Sequence, residues 1–276
     1  MQRRIRRRAI AQKFFADRGT HLAAMIAYFA LLSFVPLLFI ALALLGFAGQ
    51  ADQHSFFVRE LHKIFPGRSL DSILTAVHAI QDNAKTLGIV GAAALLWSSL
   101  SLFSVLESAF NIVYGRPNRS FLHGKALATL LMIGSVVTLF VSLVVGSLGV
   151  EAMTRYAPGF TSNTVVAVVV SVLVSLWGVF VFLVSVYYVL TNERLTIRDV
   201  IPGAVTAAVL LEGTFQLLPA YLRLSNDLPA LQATGGPVVL LVWLYVMANL
   251  IVFGAEVNWW FWQRRGRASE VAAGLA

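Results

Sequence analysis

Long uncharged runs alternate with short basic segments along the chain. Between Arg18 and Asp52 there is no Asp, Glu, Lys or Arg, and the same holds for Thr86–Leu106, Ala126–Val150, Tyr156–Asn192 and Leu228–Ala255. A helix needs about 20 apolar residues to cross the hydrocarbon core of a bilayer, and each of these runs is long enough. A sixth run, Val200–Tyr221, is interrupted only by Glu212. The pattern predicts an all-α fold, a polytopic transmembrane helix bundle with six spans near 22–48, 87–110, 126–150, 164–190, 200–221 and 236–262. The first run far exceeds the roughly 7–15 apolar residues of a signal-peptide core, so it is expected to stay as a span.

The segments between the spans set the expected orientation. With the N-terminus inside, 15 of the 21 Lys and Arg residues fall on the cytoplasmic side and 6 outside, as the positive-inside bias requires. Both termini are therefore expected in the cytoplasm. Trp259, Trp260 and Trp262 before Arg264 read as an interfacial belt. The expected organisation is one integral membrane domain, 1–276, with a basic cytoplasmic lead-in (1–21), an extracytoplasmic helical loop (50–86) and a cytoplasmic tail (263–276). In the outer loop, Phe57, Leu61, Ile64 and Phe65 predict one short amphipathic helix. Leu70, Ile73, Leu74 and Val77 predict a second, with Ser69 as its N-cap and Pro66-Gly67 between the two.

Composition sharpens this reading. The chain is 58% hydrophobic and 12% charged, whereas a soluble domain carries about 25% charged residues. That excludes a water-soluble enzyme and an intrinsically disordered chain. There is no cysteine, so disulfides, thiolate metal sites and cysteine nucleophiles are absent. The net charge of +8 lies beside apolar spans, where anionic lipid is the natural partner. Arg3, Arg4, Arg6, Arg7 and Arg8, with Ile5, Ile10, Phe14 and Phe15, form a basic amphipathic lead-in. Its arginines fix the N-terminus inside and are candidate contacts for anionic lipid.

The informative residues are the polar ones inside the spans, because an ionisable group at a helix centre costs roughly 2.5–3.5 kcal/mol to insert. Glu212 lies mid-way along the fifth span, with Gln216 one turn further on the same face. Glu256, Asn249 and Tyr245 share a stripe of the sixth. Ser104, Glu107 and Asn111 recur at i, i+3 and i+7 in the second, flanked by Ser101 and Ser108. Three carboxylates on three helices are expected to line a polar pathway opening inward. A structural alternative pairs Glu107 and Glu256 with Arg116, Arg119 or Arg264 and leaves the amides as interhelical glue. Pro36, mid-way along the first span, predicts a kink of the kind that lines transport sites. Gly203 and Ala207, four residues apart, predict a close helix contact.

Catalytic chemistry has no foothold. The chain lacks a GxxxxGK[ST] phosphate loop, a GxSxG elbow and an HExxH pair, and His21, His54, His62, His78 and His123 have no ligand-like spacing. No metal, cofactor or enzymatic activity is expected. Nothing resembles an aromatic base-stacking platform, so nucleic acid is not an expected partner.

Several strings resemble one family. Ala27-Tyr28 leads to Ser33-Phe34-Val35-Pro36-Leu37-Leu38, and Ser104-Val105-Leu106-Glu107-Ser108-Ala109-Phe110-Asn111 runs into Tyr114-Gly115. Tyr187-Tyr188-Val189-Leu190, Pro202-Gly203-Ala204, Leu240 through Tyr245 and Phe253-Gly254-Ala255-Glu256 follow in order. Together they resemble the YihY/virulence factor BrkB family of bacterial inner-membrane proteins. Thr191 departs from the pattern, which usually has proline there. The resemblance implies a six-span inner-membrane protein linked to envelope integrity and lipid export. Members have also carried the label ribonuclease BN, which the residues do not support, because hydrolytic nucleases cluster metal ligands. The expected function is transport or flipping of an amphiphilic, anionic envelope lipid. The alternative is a non-transporting membrane scaffold that binds envelope-assembly proteins; the least favoured is a tRNA-processing nuclease.

Overall fold

The computed structural model describes residues 10–47, 84–120, 122–131, 133–135, 164–227 and 236–274. Within them the chain is helical and contains no strand: α1 (Ile10–Ala16), α2 (Gly19–Phe47), α3 (Ala84–Tyr114), α4 (122–131), α5 (Thr164–Leu190), α6 (Ile197–Asp227) and α7 (Gly236–Gly274). The helices begin within about four residues of the expected span starts, because uncharged runs can satisfy their backbone only as helix in lipid. Among the residues whose side chains are described, three stretches are long and apolar enough to cross a membrane, Val172–Leu190, Ile197–Tyr221 and Pro237–Arg265, and the part of α2 so described, Gly19–Phe34, is apolar as well. The outer loop, Arg3 to Arg8 and most of the third expected span lie outside the described residues, and so does the side chain of Pro36 within α2.

Local chemistry sets the helix ends. Gly115 ends α3 in the left-handed region (φ 64°). Its N–H donates to the Ile112 carbonyl and that of Arg116 to the Asn111 carbonyl, the paired bonds of a Schellman cap. At the start of α6, Asp199 Oδ2 reaches back to accept from both the backbone N–H and the hydroxyl of Thr196, the carboxylate half of a capping box, while the Asp199 N–H donates to the Thr196 carbonyl. Between α1 and α2, Arg18 takes a left-handed conformation (φ 57°), and this tight turn folds α1 back onto the bundle.

The helices close a ring. α7 packs on α6 and on α2, α2 on α3, α5 on α6, and lighter contacts join α3 to α5 and to α7; α1 docks across α7 and α2. The core is concentrated where Ala23, Ala27, Phe110, Val113, Leu183, Tyr187, Leu190, Ala204, Ala207 and Val252 meet. Trp177, Val174, Leu173, Val209 and Val246 point outward, an apolar exterior suited to lipid. The close contact expected at Gly203 and Ala207 is formed on α7. A Cβ at Gly203 would overlap the Gly254 carbonyl oxygen and the Asn258 side chain, and one at Gly254 would overlap the Tyr187 hydroxyl and Ala207 Cβ.

Candidate functional site

The polar residues inside the bundle fall into two groups. One lies at the bundle end, where α1, the C-terminus of α3 and the N-terminus of α6 meet α7. There Lys13, from α1, is buried with its ammonium 2.9 Å from Glu256 Oε2. It also pairs with Asp17, donates to the Val113 carbonyl at 2.8 Å and sits 4.1 Å from the centre of the Trp259 ring. Phe14 packs edge-on against Phe253, so α1 grips residues 253, 256 and 259, one face of α7. Glu256 has no exposed surface. Glu256 Oε2 is thus held by an ion pair, whereas Oε1 is buried with no hydrogen-bond partner among the described residues.

The Tyr114 hydroxyl, at the end of α3, is also buried without a described partner. Burial holds it well above the usual phenol range, and the Asp199, Glu193 and Glu256 carboxylates push the same way. It therefore stays a protonated donor. On the opposite face of α7, Asn258 Oδ1 accepts the Gly203 N–H at 2.6 Å.

Beside this cluster the loop after α3 is tied to the end of α5. Arg119 donates to the Leu190 and Thr191 carbonyls at 2.6 and 2.8 Å, a cation on the last carbonyls of a helix. Its backbone N–H donates to Glu107 Oε1 at 3.2 Å, and its guanidinium lies 3.5 Å from the same oxygen. Asn111 accepts the Asn192 N–H at 2.7 Å and donates to Asn118; Arg116 pairs with Glu193. Ser104 donates to the Leu100 carbonyl and accepts from Lys125. At the start of α6, Pro202 has no N–H to offer the Arg198 carbonyl four residues back. Arg265 of α7 supplies the missing donor at 2.8 Å and bridges to Asp199 at 2.9 Å.

The second group is a small mid-span cluster. Glu212, 7% exposed, accepts from the Ser175 hydroxyl of α5 at 2.7 Å and from the Gln216 amide at 2.8 Å. Asn249 bonds the Tyr245 carbonyl on its own helix. Glu107, Glu212 and Glu256 thus sit on three helices as expected, each with its own set of partners. The pairing foreseen for Glu107 is made with Arg119. For Glu256 it is made with Lys13 and not with Arg116, Arg119 or Arg264, because α1 folds back onto α7; Arg264 stacks on Trp260 instead, 3.4 Å from the ring centre. Lys13, Asp17, Tyr114 and Asn258 were not singled out from the sequence. A signal existed for the first two: Asp17 is the only acidic residue before Asp52 and lies one helical turn after Lys13.

The model for the virulence factor BrkB family matches residues 10–274. The chain belongs to that family. It is 27% identical to a ribonuclease-like protein, YfkH, of Bacillus subtilis (strain 168), over 89% of this chain and 91% of that one. It is 24% identical to a UPF0761 membrane protein of Azoarcus sp. (strain BH72) over 91% of this chain, and it spans 62% of that relative's length. A UPF0761 membrane protein of Vibrio vulnificus (strain YJ016) is 26% identical over 88% of this chain and 77% of its own. No solved structure matches. With several long apolar helices, this BrkB-family chain is a membrane protein.

Proposed function

We propose that this BrkB-family protein is a six-span inner-membrane protein, both termini cytoplasmic, that transports or flips an amphiphilic, anionic envelope lipid. The observation that carries this reading is Glu212. It is a carboxylate buried mid-way along an apolar helix, and among the described residues its partners are a serine hydroxyl and an amide, both neutral. A carboxylate so placed is costly and marks a substrate or proton path by default. The inside-facing arginines Arg3 to Arg8 would gather anionic headgroups. Glu107, Asn111, Gln216, Asn249 and Glu256 would border the path. The chemistry is non-enzymatic: the ribonuclease-like name belongs to the Bacillus relative, and the residues here offer it no catalytic motif.

The test is mass spectrometry of lipids retained by the purified protein, wild type against Glu212→Ala and Glu256→Ala. Enrichment of one anionic lipid class that the variants lose is the expected result. The same bulk-membrane lipid in all three would overturn transport and leave the carboxylates as interhelical glue. Cleavage of tRNA by pure protein, abolished by point mutation, would overturn the non-enzymatic reading.

A further inference from the structure

We propose that Asp17 and Glu256, sharing the single ammonium of Lys13, form a proton-binding site at the bundle end, and that proton uptake there loosens α1 from α7. With both carboxylates ionised the three groups carry one net negative charge in a buried cluster. Two carboxylates that share a site resist double ionisation, and a buried charge without full pairing is costly. One added proton neutralises the cluster. The Tyr114 hydroxyl reaches it from α3, the buried positions Ala23, Ile26 and Ala27 of α2 are apolar, α6 meets the other face of α7 through Gly203 and Ala207, and Glu193 is paired with Arg116. Asp199 is held by Thr196 and Arg265 instead.

Exposure gives the proton a route. The Asp17 side chain is 25% exposed and that of Glu256 is 0%. Water can therefore deliver a proton to Asp17, and from there it reaches Glu256 across the ammonium both carboxylates touch. Glu256 Oε2 stands against the ammonium, 2.9 Å away, while Oε1 has no described hydrogen-bond partner, so an O–H bond can form at Oε1 without breaking a hydrogen bond. Once Glu256 is neutral, Lys13 keeps Asp17, the Val113 carbonyl and the Trp259 ring, and the charge that drew α1 onto α7 is gone. The proposed transport would then have a proton gradient to draw on. That use rests on the transport reading; the proton site itself does not.

Trp259 reports on the site, because the Lys13 ammonium stands over its ring. The experiment titrates tryptophan emission of the purified full chain in detergent, with proton uptake followed in parallel by an indicator dye. Wild type should give one reversible step. Glu256→Gln should abolish it. Asp17→Asn should move it to lower pH by about one unit or more, since one carboxylate then has the ammonium to itself. Glu212→Gln should leave it in place. A step that survives unchanged in both Glu256→Gln and Asp17→Asn overturns the proposal, and Asp17→Asn alone decides it if Glu256→Gln fails to fold. No lipid is present, so a step lost as expected beside an absence of lipid transfer in vesicles would sustain the proton site and overturn only transport.

Discussion

The two polar regions of this bundle solve the same problem in opposite ways. At the end where α1 crosses α7, each buried carboxylate meets a cation, Glu256 with Lys13 and Glu107 with Arg119. In mid-span, Glu212 meets only neutral donors among the described residues. Groups at the end join separate elements: α1 to α7, the loop after α3 to the end of α5, and α6 to α7 through Arg265. Glu212 joins two helices through one serine. Removing the first kind of group should cost stability in addition to any part it has in the path; removing the second should cost function while the fold survives.

The largest effect is expected from splitting the Lys13–Glu256 pair. Lys13→Met leaves a fully buried carboxylate without its cation, and losing one partner of a buried pair costs about 3–5 kcal/mol. Lys13→Met combined with Glu256→Met should recover most of that loss in a detergent unfolding titration, because the pair is replaced by apolar volume. If the double variant is no more stable than the single one, the ion pair is not what fastens α1.

Two smaller losses test the same end. Gly203→Ala places a methyl group against the Gly254 carbonyl oxygen and should cost up to about 3 kcal/mol by overpacking. Arg119→Ala uncaps α5 and releases the 116–120 loop, about 1.5 kcal/mol after allowing for the partial exposure of Arg119. Equilibrium unfolding orders the two, and an Arg119→Ala loss larger than that of Gly203→Ala would shift the weight of the fold from the α6–α7 crossing to the loop.

Helix positions were legible because lipid leaves the backbone no alternative, so uncharged length alone places α5 at Thr164–Leu190, where the span was expected. The Gly203–Ala207 contact was legible for a similar reason, since small residues one turn apart mark a close approach. Partners were not. That Glu256 would meet Lys13 depends on the left-handed turn at Arg18, a conformation an arginine does not announce; the one local sign is Gly19 beside it, where a Cβ would overlap the Phe14 ring that α1 folds over it. Lys13 itself was hidden among the lead-in arginines, where it counted as one more topogenic charge. The role of Arg265 was also concealed: it answers a donor missing at Pro202, 63 positions earlier in the chain, and sequence periodicity carries no signal across that distance.

The smallest stability effect is the most informative one. Glu212→Gln preserves the size of the side chain and its oxygen, which still accepts from Gln216. The Ser175 hydroxyl, which can donate or accept, turns to receive the new amide. Stability should change by less than about 0.5 kcal/mol, comparable with one intramembrane hydrogen bond. Ser175→Ala should cost about as little, around 0.6 kcal/mol. If Glu212 lies on a transport path, Glu212→Gln should lose lipid enrichment and transfer at normal insertion levels, whereas Ser175→Ala should keep both. Equal loss from the two variants would mean that the α5–α6 contact matters and the charge does not. Retention by both would assign Glu212 to packing, and the contrast between the two regions would then be one of depth rather than purpose.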